Sequence, residues 1–111
     1  MGQYHCTFNK TKKEFIHPHH IDCGLKLWEQ IGFPASTSSA LFMLLVNSND
    51  RGGGDFPAHP DIGRWAGDSI VVQVDYAEEG DPGFITEEEL LDYTNISNDV
   101  LDMLTYTLKH F

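Results

Sequence analysis

The chain has 111 residues and a mass of 12.5 kDa, which is the usual size of one domain and too short for two ordinary cores. Seven lysines and arginines oppose 17 acids, giving a net charge of −10 and a sequence pI of about 4.7. This balance excludes the basic surface of a generic nucleic-acid binder and disfavours adhesion to anionic lipid. We therefore expect one acidic domain over residues 1–111, whose core forms without a disulfide, metal or cofactor.

The first half of the chain predicts a β-hairpin followed by two helices. Apolar and polar residues alternate over residues 3–8, as in a half-buried strand, and residues 14–17 suit the returning arm of a hairpin. Asp22 is a candidate N-cap for a short helix. Hydroxyls at residues 36–39 can cap a second helix, and the apolar residues 40–46 predict that this helix is central to the core and has no solvent face.

The second half begins with a loop and a strand. Three consecutive glycines at residues 52–54 predict an irregular loop that continues to residue 63. Residues 69–76 have the strongest strand pattern in the chain, and their valines and isoleucine predict an interior strand. A Gly-Asp-Pro-Gly turn follows at residues 80–83.

Two more helices complete the predicted order. Thr86 and Glu89 match a capping box, which predicts a short helix over residues 86–93. A last helix begins near Ser97 and has apolar residues at helical spacing, namely Val100, Leu101, Leu104 and Leu108. These elements predict a small single-domain α+β sandwich, in which helices pack on one face of a short, mainly antiparallel sheet and the apolar second helix lies on that sheet.

A histidine-rich turn is the first candidate for chemistry. His17, His19 and His20 are followed by Asp22 and Cys23, and such side chains bind zinc and other transition metals. The spacing matches no recognised pair of ligand pairs, and histidine-rich turns also occur as ordinary polar surface. We therefore assign no metal and keep these three histidines as weak candidates.

A second candidate is a histidine between two carboxylates, His59 with Asp55 and Asp61. A carboxylate can orient a histidine for general-base catalysis, as a small hydrolase requires. No nucleophile or Gly-x-Ser-x-Gly elbow is nearby, and the neighbouring prolines are equally consistent with a rigid loop. The three glycines also lack the sequence context of a phosphate-binding loop.

Arg64 and Trp65 form a third feature. Tryptophan and arginine are enriched in the residues that dominate protein–protein affinity, which makes this pair a candidate anchor for a partner. The alternative is structural: Trp65 closes one end of the sheet and Arg64 pairs with a neighbouring acid.

The charge is divided unevenly along the chain. Residues 1–49 have four lysines and three acids and a net charge of +1, whereas residues 50–111 have three basic residues, 14 acids and a net charge of −11. If these acids cluster, they attract basic surfaces over roughly 8–10 Å at physiological salt. The alternative is that they only keep the protein soluble.

The N-terminal residues have no signal-peptide pattern, and the longest apolar run, residues 40–46, is too short to span a bilayer. We therefore expect a cytoplasmic protein in which Cys6 and Cys23 are free thiols.

Several segments together resemble a group of short bacterial proteins of unknown function. The resemblance covers most of the chain and is clearest in the segments Arg-Gly-Gly-Gly-Asp at 51–55 and Gly-Arg-Trp-Ala-Gly-Asp at 63–68, with Tyr4, His17-Pro18-His19, residues 24–27 and Asp75-Tyr76 in the same order. It implies a bacterial, cytoplasmic, single-domain protein and transfers no activity.

These observations favour binding over catalysis. We expect a non-enzymatic acidic protein that masks a basic protein surface, such as an immunity protein or antitoxin that inhibits a toxin, without direct binding to nucleic acid or membrane. The alternatives are a small metal- or histidine-dependent hydrolase, a phage-type DNA mimic and a self-associating domain. The expected partner-binding residues are Arg64, Trp65, Asp75, Glu78, Glu79, Asp81, Glu87, Glu88 and Asp92.

Overall fold

The structure is a computed structural model and describes residues 5–21, 30–31, 36–47, 58–74 and 77–110. Its sheet is built from strands β1 (His5–Asn9), β2 (Glu14–Ile16), β3 (Ile70–Val74) and β4 (Thr94–Asn95), in the order β3-β1-β2-β4. β1 pairs antiparallel with β2 and β3, whereas β2 and β4 are parallel. The predicted α+β class is therefore confirmed.

The described helices are α1 (Thr37–Leu45), α2 (Glu87–Leu90), α3 (Ser97–His110) and a 3₁₀ helix (Pro18–Ile21). α3 packs against α1, β2 and the 3₁₀ helix, so it joins the sheet to the rest of the domain. The buried core consists of Ile16, Ile21, Ala40, Leu44, Ile62, Trp65, Ile96, Val100, Met103 and Leu104.

The predicted hairpin is present as β1 and β2, and Asn9 stabilises its turn. The Asn9 side chain is fully buried; its Oδ1 accepts a hydrogen bond from Lys12 N at 2.8 Å, and its Nδ2 donates to Asp68 Oδ2 at 2.8 Å. Phe8 lies opposite Phe15 in the register, and the two rings stack with centroids 5.6 Å apart. The hydrogen bond from Asn9 to Asp68 attaches the hairpin turn to the chain just before β3.

The prediction of an interior strand over residues 69–76 is wrong for the part that the structure describes. Among the described strands, β3 is at the edge of the sheet and pairs with β1, and Val72 is 44% exposed. The chain itself covers part of this strand: Gln73 Nε2 donates to Ile85 O at 2.9 Å, and Ile85 N donates to Gln73 Oε1 at 2.7 Å. The backbone of Ile85 is thus hydrogen-bonded by the side-chain amide of a residue on the edge strand.

The prediction that the second helix has no solvent face is also wrong. In α1, Ala40 and Leu44 are fully buried, but Phe42 is 83% exposed and Leu45 is 40% exposed. Among the described elements, α1 packs chiefly against α3, whereas the prediction placed it on the sheet. Ser36 is at the N-cap, as expected, yet its hydroxyl caps no amide of the helix.

Both C-terminal helices form where predicted, with two differences. α2 ends at Leu90 instead of continuing to residue 93, because the chain then turns so that Thr94 N can donate to Lys13 O at 2.8 Å. In α3, Val100 and Leu104 are buried as expected, but Leu108 is 67% exposed and the unpredicted Met103 is fully buried. The core ends before the last turns of α3.

Some predictions lie outside the described residues. They are the glycine loop at residues 51–57, the end of the predicted strand at Asp75 and Tyr76, and most of the short helix after Asp22, of which residues 30–31 are described and helical.

Candidate functional site

Residues 77–92, here called the acidic segment, contain seven acids and no lysine, arginine or histidine. All seven of these residues are exposed: Glu78, Glu79, Asp81, Glu87, Glu88, Glu89 and Asp92. Six of them are predicted partner-binding residues, and the seventh, Glu89, is the capping residue of α2. Asp75, also predicted, is outside the described part of the chain.

The backbone of the first half of the acidic segment is held by a turn. Glu78 N donates to Asp81 Oδ2 at 2.9 Å, Asp81 N donates to Glu78 O at 3.0 Å, and Phe84 N donates to Asp81 O at 3.1 Å. Gly80 and Gly83 have φ values of 100° and 73°, which side chains with a Cβ rarely adopt. The turn therefore presents Glu78 and Glu79 to solvent on an ordered backbone.

The second half is held by the predicted capping box, and both of its arms are present. Glu89 N donates to Thr86 Oγ1 at 3.2 Å, and Thr86 N donates to Glu89 Oε1 at 3.1 Å. The hydrogen bonds from the Thr86 backbone and hydroxyl lower the pKa of Glu89. Glu87 and Glu88 are thereby fixed in the first turn of α2, where carboxylates are favoured by the helix dipole.

Ile85 anchors the acidic segment between these two halves. Its side chain is 1% exposed, and its backbone makes the two hydrogen bonds with Gln73 described above. One buried residue thus fixes the position of the exposed acids on both sides of it.

Three lysines of the hairpin turn lie close to acids of the second half of the chain. Lys10 Nζ donates to Gly83 O at 3.2 Å, Lys10 and Lys13 help to lower the pKa of Glu89, and Lys12 forms an ion pair with Asp68. The division of charge along the sequence is therefore not a division in space. None of the seven acids of the segment makes an ion pair within the described residues.

Arg64 is surrounded by carboxylates of this chain. Its guanidinium donates to Glu14 Oε2 at 2.7 Å and also to Asp99 at 2.9 Å and Asp61 at 3.2 Å. The hydrogen bond to Glu14 is the largest cause of the raised pKa of Arg64, and its side chain is only 25% exposed. Arg64 thus pairs with neighbouring acids, which was one of the two expected alternatives.

Trp65 is fully buried in the core, and its Nε1 donates to Glu14 Oε1 at 2.8 Å. It therefore presents no surface to a partner in this structure. Glu14 joins Arg64 and Trp65, and sequence reasoning did not identify it. The feature of the sequence that could have identified Glu14 is its position as an acid directly before the apolar residues Phe15 and Ile16 of a short strand.

His59 is brought next to Asp61, as predicted, but its main partner is Asp102 of α3. His59 Nε2 lies 3.0 Å from Asp102 Oδ2, and Asp61 N donates to His59 Nδ1 at 3.1 Å. Because Nδ1 accepts a hydrogen bond, Nε2 is the protonated nitrogen. Both nitrogens are engaged, so neither is available as a general base, and the histidine links its loop to α3. Asp55 lies outside the described residues.

His17, His19 and His20 lie close together. The ring centroid of His17 is 4.8 Å from that of His20 and 5.6 Å from that of His19. The pKa of His17 is lowered, chiefly because its ring is partly buried and also because a positive charge on His20 or His19 would repel its own. His20 Nδ1 is 3.1 Å from Asn95 Nδ2. Within the part of the chain that the structure describes, no three histidine, cysteine or acidic side chains are arranged to hold a metal ion.

Comparison of the chain with protein-family models, with curated proteins and with solved structures gives no match. Among the helices that the structure describes, none has the length and apolar character needed to cross a membrane.

Proposed function

We propose that the chain is a non-enzymatic acidic binding protein that masks a basic protein surface, in the manner of an immunity protein or antitoxin that inhibits a toxin. The observation that supports this proposal is the acidic segment, whose seven acids are all exposed and are interrupted by no basic residue. Trp65 is not included in the proposed surface because it is buried, and Arg64 is not included because its guanidinium is engaged by acids of its own chain.

Such a surface acts first on the rate of encounter. Complementary charge can raise an association rate constant from about 10⁵–10⁶ M⁻¹s⁻¹ to about 10⁸ M⁻¹s⁻¹ or more at low salt. The effect requires carboxylates that face solvent and are not neutralised internally. Glu79, Glu87, Glu88 and Asp92 meet both conditions within the described residues.

The ordered backbone of the acidic segment supports binding as well as attraction. Groups that are already ordered lose less conformational entropy when a complex forms. The turn at residues 78–83, buried Ile85 and the capping box at Thr86 order the segment before any partner arrives.

The hydrolase alternative receives less support from the geometry. Both nitrogens of His59 have hydrogen-bond partners, and the histidine-rich turn does not supply three metal ligands within the described residues. The DNA-mimic alternative requires carboxylates spaced like phosphates, and no contact in the described residues favours it over a basic protein surface.

The first experiment is capture of the partner. The immobilised chain is incubated with native lysate of its source cells at about 50 mM and about 500 mM salt, which span the range over which exposed charges become screened. We expect a basic protein to bind at low salt and to be released at high salt. Failure to capture any basic protein at either salt would refute the proposal, and release of the captured protein by DNA would favour the mimic.

The second experiment measures association rates with that partner. A triple variant, Glu79→Gln, Glu87→Gln and Glu88→Gln, should slow association by about tenfold or more at low salt. The matched control adds the same positive charge on α3, at exposed positions, by Asn98→Lys, Thr105→Lys and Leu108→Lys. If the control slows association as much as the triple variant, the acidic segment has no special role.

A further inference from the structure

The outer edge of β3 has backbone groups that no described strand pairs with. Lys10 N donates to Ser69 O at 2.8 Å, and the antiparallel register continues from this pair through β3. Because hydrogen-bonded pairs alternate with non-hydrogen-bonded pairs in an antiparallel ladder, Val71 and Gln73 bond to β1, whereas the N–H and C=O of Val72 point away from it. No hydrogen bond within the described residues uses these two groups of Val72, and this residue is 44% exposed.

The sequence of this edge lacks the features that usually prevent a strand from pairing with another chain. Natural edge strands are protected by charged side chains, by proline or by a bulge. β3 is Ile-Val-Val-Gln-Val, without charge or proline, and its five residues pair with β1 one to one, without a bulge. A regular, apolar edge of this kind is suited to receive an added strand.

A groove lies between this edge and the turn of the acidic segment. It has a volume of about 130 Å³ and lies between residues 71–74 of β3 and residues Ala77, Asp81, Pro82 and Phe84. A Cβ at Gly83 would lie 3.3 Å from Val71 Cγ2, so the turn is on the Val71 side of the sheet. Successive side chains of a strand point to opposite sides, which places the Val72 side chain on the other side. A strand added at this edge would therefore face the turn on one side and Val72 on the other.

The wall that the turn contributes is acidic. Asp81 lines the groove, and Glu78 and Glu79 precede it in the same exposed turn. Lys10 Nζ contacts Gly83 O but leaves these three carboxylates without an ion pair within the described residues. A second copy of the chain would bring the same acids to this edge, so like charges oppose the pairing of two β3 strands. A strand with lysine or arginine side chains is attracted instead.

We propose that β3 receives an extended basic segment of the partner as an added strand. This inference rests on the proposed function and adds to it the form in which the partner is bound. The backbone of the segment pairs with the outward N–H and C=O of Val72. Its side chains alternate, with basic ones beside Glu79 and Asp81 and apolar ones beside Val72. Main-chain hydrogen bonds then provide affinity, and the acids select a basic segment.

The test is amide hydrogen exchange of the full chain, followed by NMR at about 50 mM salt, with synthetic octapeptides as probes. The first peptide alternates lysine and valine, and the control has the same side chains and charge but a methyl group on every backbone nitrogen. We expect the first peptide to slow exchange at Val72 N–H by about tenfold at about 90% occupancy, because exchange then occurs only from the free fraction. The control peptide should leave this rate unchanged, and so should both peptides at Val71 N–H, which is bonded to β1.

Two variants at one position separate the backbone from the side chain. Val72→Pro removes the outward N–H without removing a bond to β1, and it should weaken binding of the alternating peptide by about fivefold or more. Val72→Thr keeps the N–H and should bind within about twofold of the unmodified chain. Urea unfolding establishes that each variant is folded, and equal affinities of the two folded variants would overturn the proposal.

The exchange experiment on the unmodified chain decides the proposal independently of any variant. Unchanged exchange at Val72 with the alternating peptide would overturn the added strand, even if the acidic segment captures a basic protein from lysate. Slowed exchange at Val72 would support the added strand, even if the lysate experiment yields no basic protein and so refutes the proposed function.

Discussion

Glu14 is the residue whose replacement tests the described network most directly, because two groups depend on it. In Glu14→Leu, the fully buried Trp65 loses the acceptor of its Nε1–H, and an unsatisfied buried donor costs about 1–3 kcal/mol. Arg64 keeps Asp61 and Asp99 and is 25% exposed, so the loss of its shortest ion pair adds only about 1 kcal/mol. The expected loss is about 2–4 kcal/mol, out of about 5–15 kcal/mol for a typical domain.

Urea unfolding followed by far-UV circular dichroism measures this loss as a lower midpoint with an unchanged slope. Glu79→Leu is the control, because Glu79 is exposed and makes no ion pair within the described residues. We expect it to change the free energy of unfolding by no more than about 0.5 kcal/mol. If Glu14→Leu costs as little as this control, the burial and bonding assigned to Glu14 are incorrect.

A double-mutant cycle isolates the contact with the indole. Trp65→Phe removes the donor and also some packing, so it destabilises by itself. In that background Glu14→Leu no longer leaves an unsatisfied indole N–H, and the two changes should be less than additive by about 1–3 kcal/mol. Additivity within about 0.5 kcal/mol would refute the hydrogen bond.

Two further predictions concern glycines and acid. Gly63 has a φ of 84°, and a Cβ there would lie 2.9 Å from the backbone carbonyl oxygen of Val46, the residue that follows α1. Gly67 has a φ of 80°, but a Cβ there would meet no atom within 4 Å. In urea unfolding, Gly63→Ala should therefore cost about 1 kcal/mol or more beyond the cost of Gly67→Ala, and equal costs would contradict the close approach. Hydrogen bonds from Lys12 and Asn9 lower the pKa of Asp68 below its usual 3.8. These contacts therefore stabilise the folded state above pH 3.8, and the stabilisation is lost as the pH falls through the lowered pKa. Asp68→Asn should reduce the loss of thermal stability between pH 5 and pH 2, and an unchanged acid profile would show that this pair contributes nothing.

The elements that sequence reasoning predicted correctly depend on residues a few positions apart. The hairpin follows from the alternation in β1 and the polar turn after it, and the capping box of α2 involves Thr86 and the residue three positions later. The acids proposed for partner binding in the acidic segment are exposed, since charged side chains at a turn and at a helix start remain in water. Such features need no knowledge of the rest of the fold.

The contacts that were missed join distant parts of the chain. Glu14 and Trp65 are 51 positions apart, and His59 and Asp102 are 43 positions apart. For His59, sequence reasoning considered only the acids close to it in the chain, Asp55 and Asp61. The partner that approaches Nε2 comes from α3, which reaches the histidine only after the domain has folded.

Burial is the property that local patterns predicted least well. The apolar residues of α1 and β3 are consistent with burial on all sides, yet Phe42 and Val72 are exposed while Trp65, between two glycines, is completely buried. Local sequence determined where the hairpin, the Gly-Asp-Pro-Gly turn and the capping box of α2 form, because those depend on backbone propensity and on hydrogen bonds to near neighbours. Only the tertiary structure decided which apolar faces are covered and which acids meet Arg64. A small domain has too few helices and strands to cover every apolar face, so the packing arrangement of those elements determines which faces are buried.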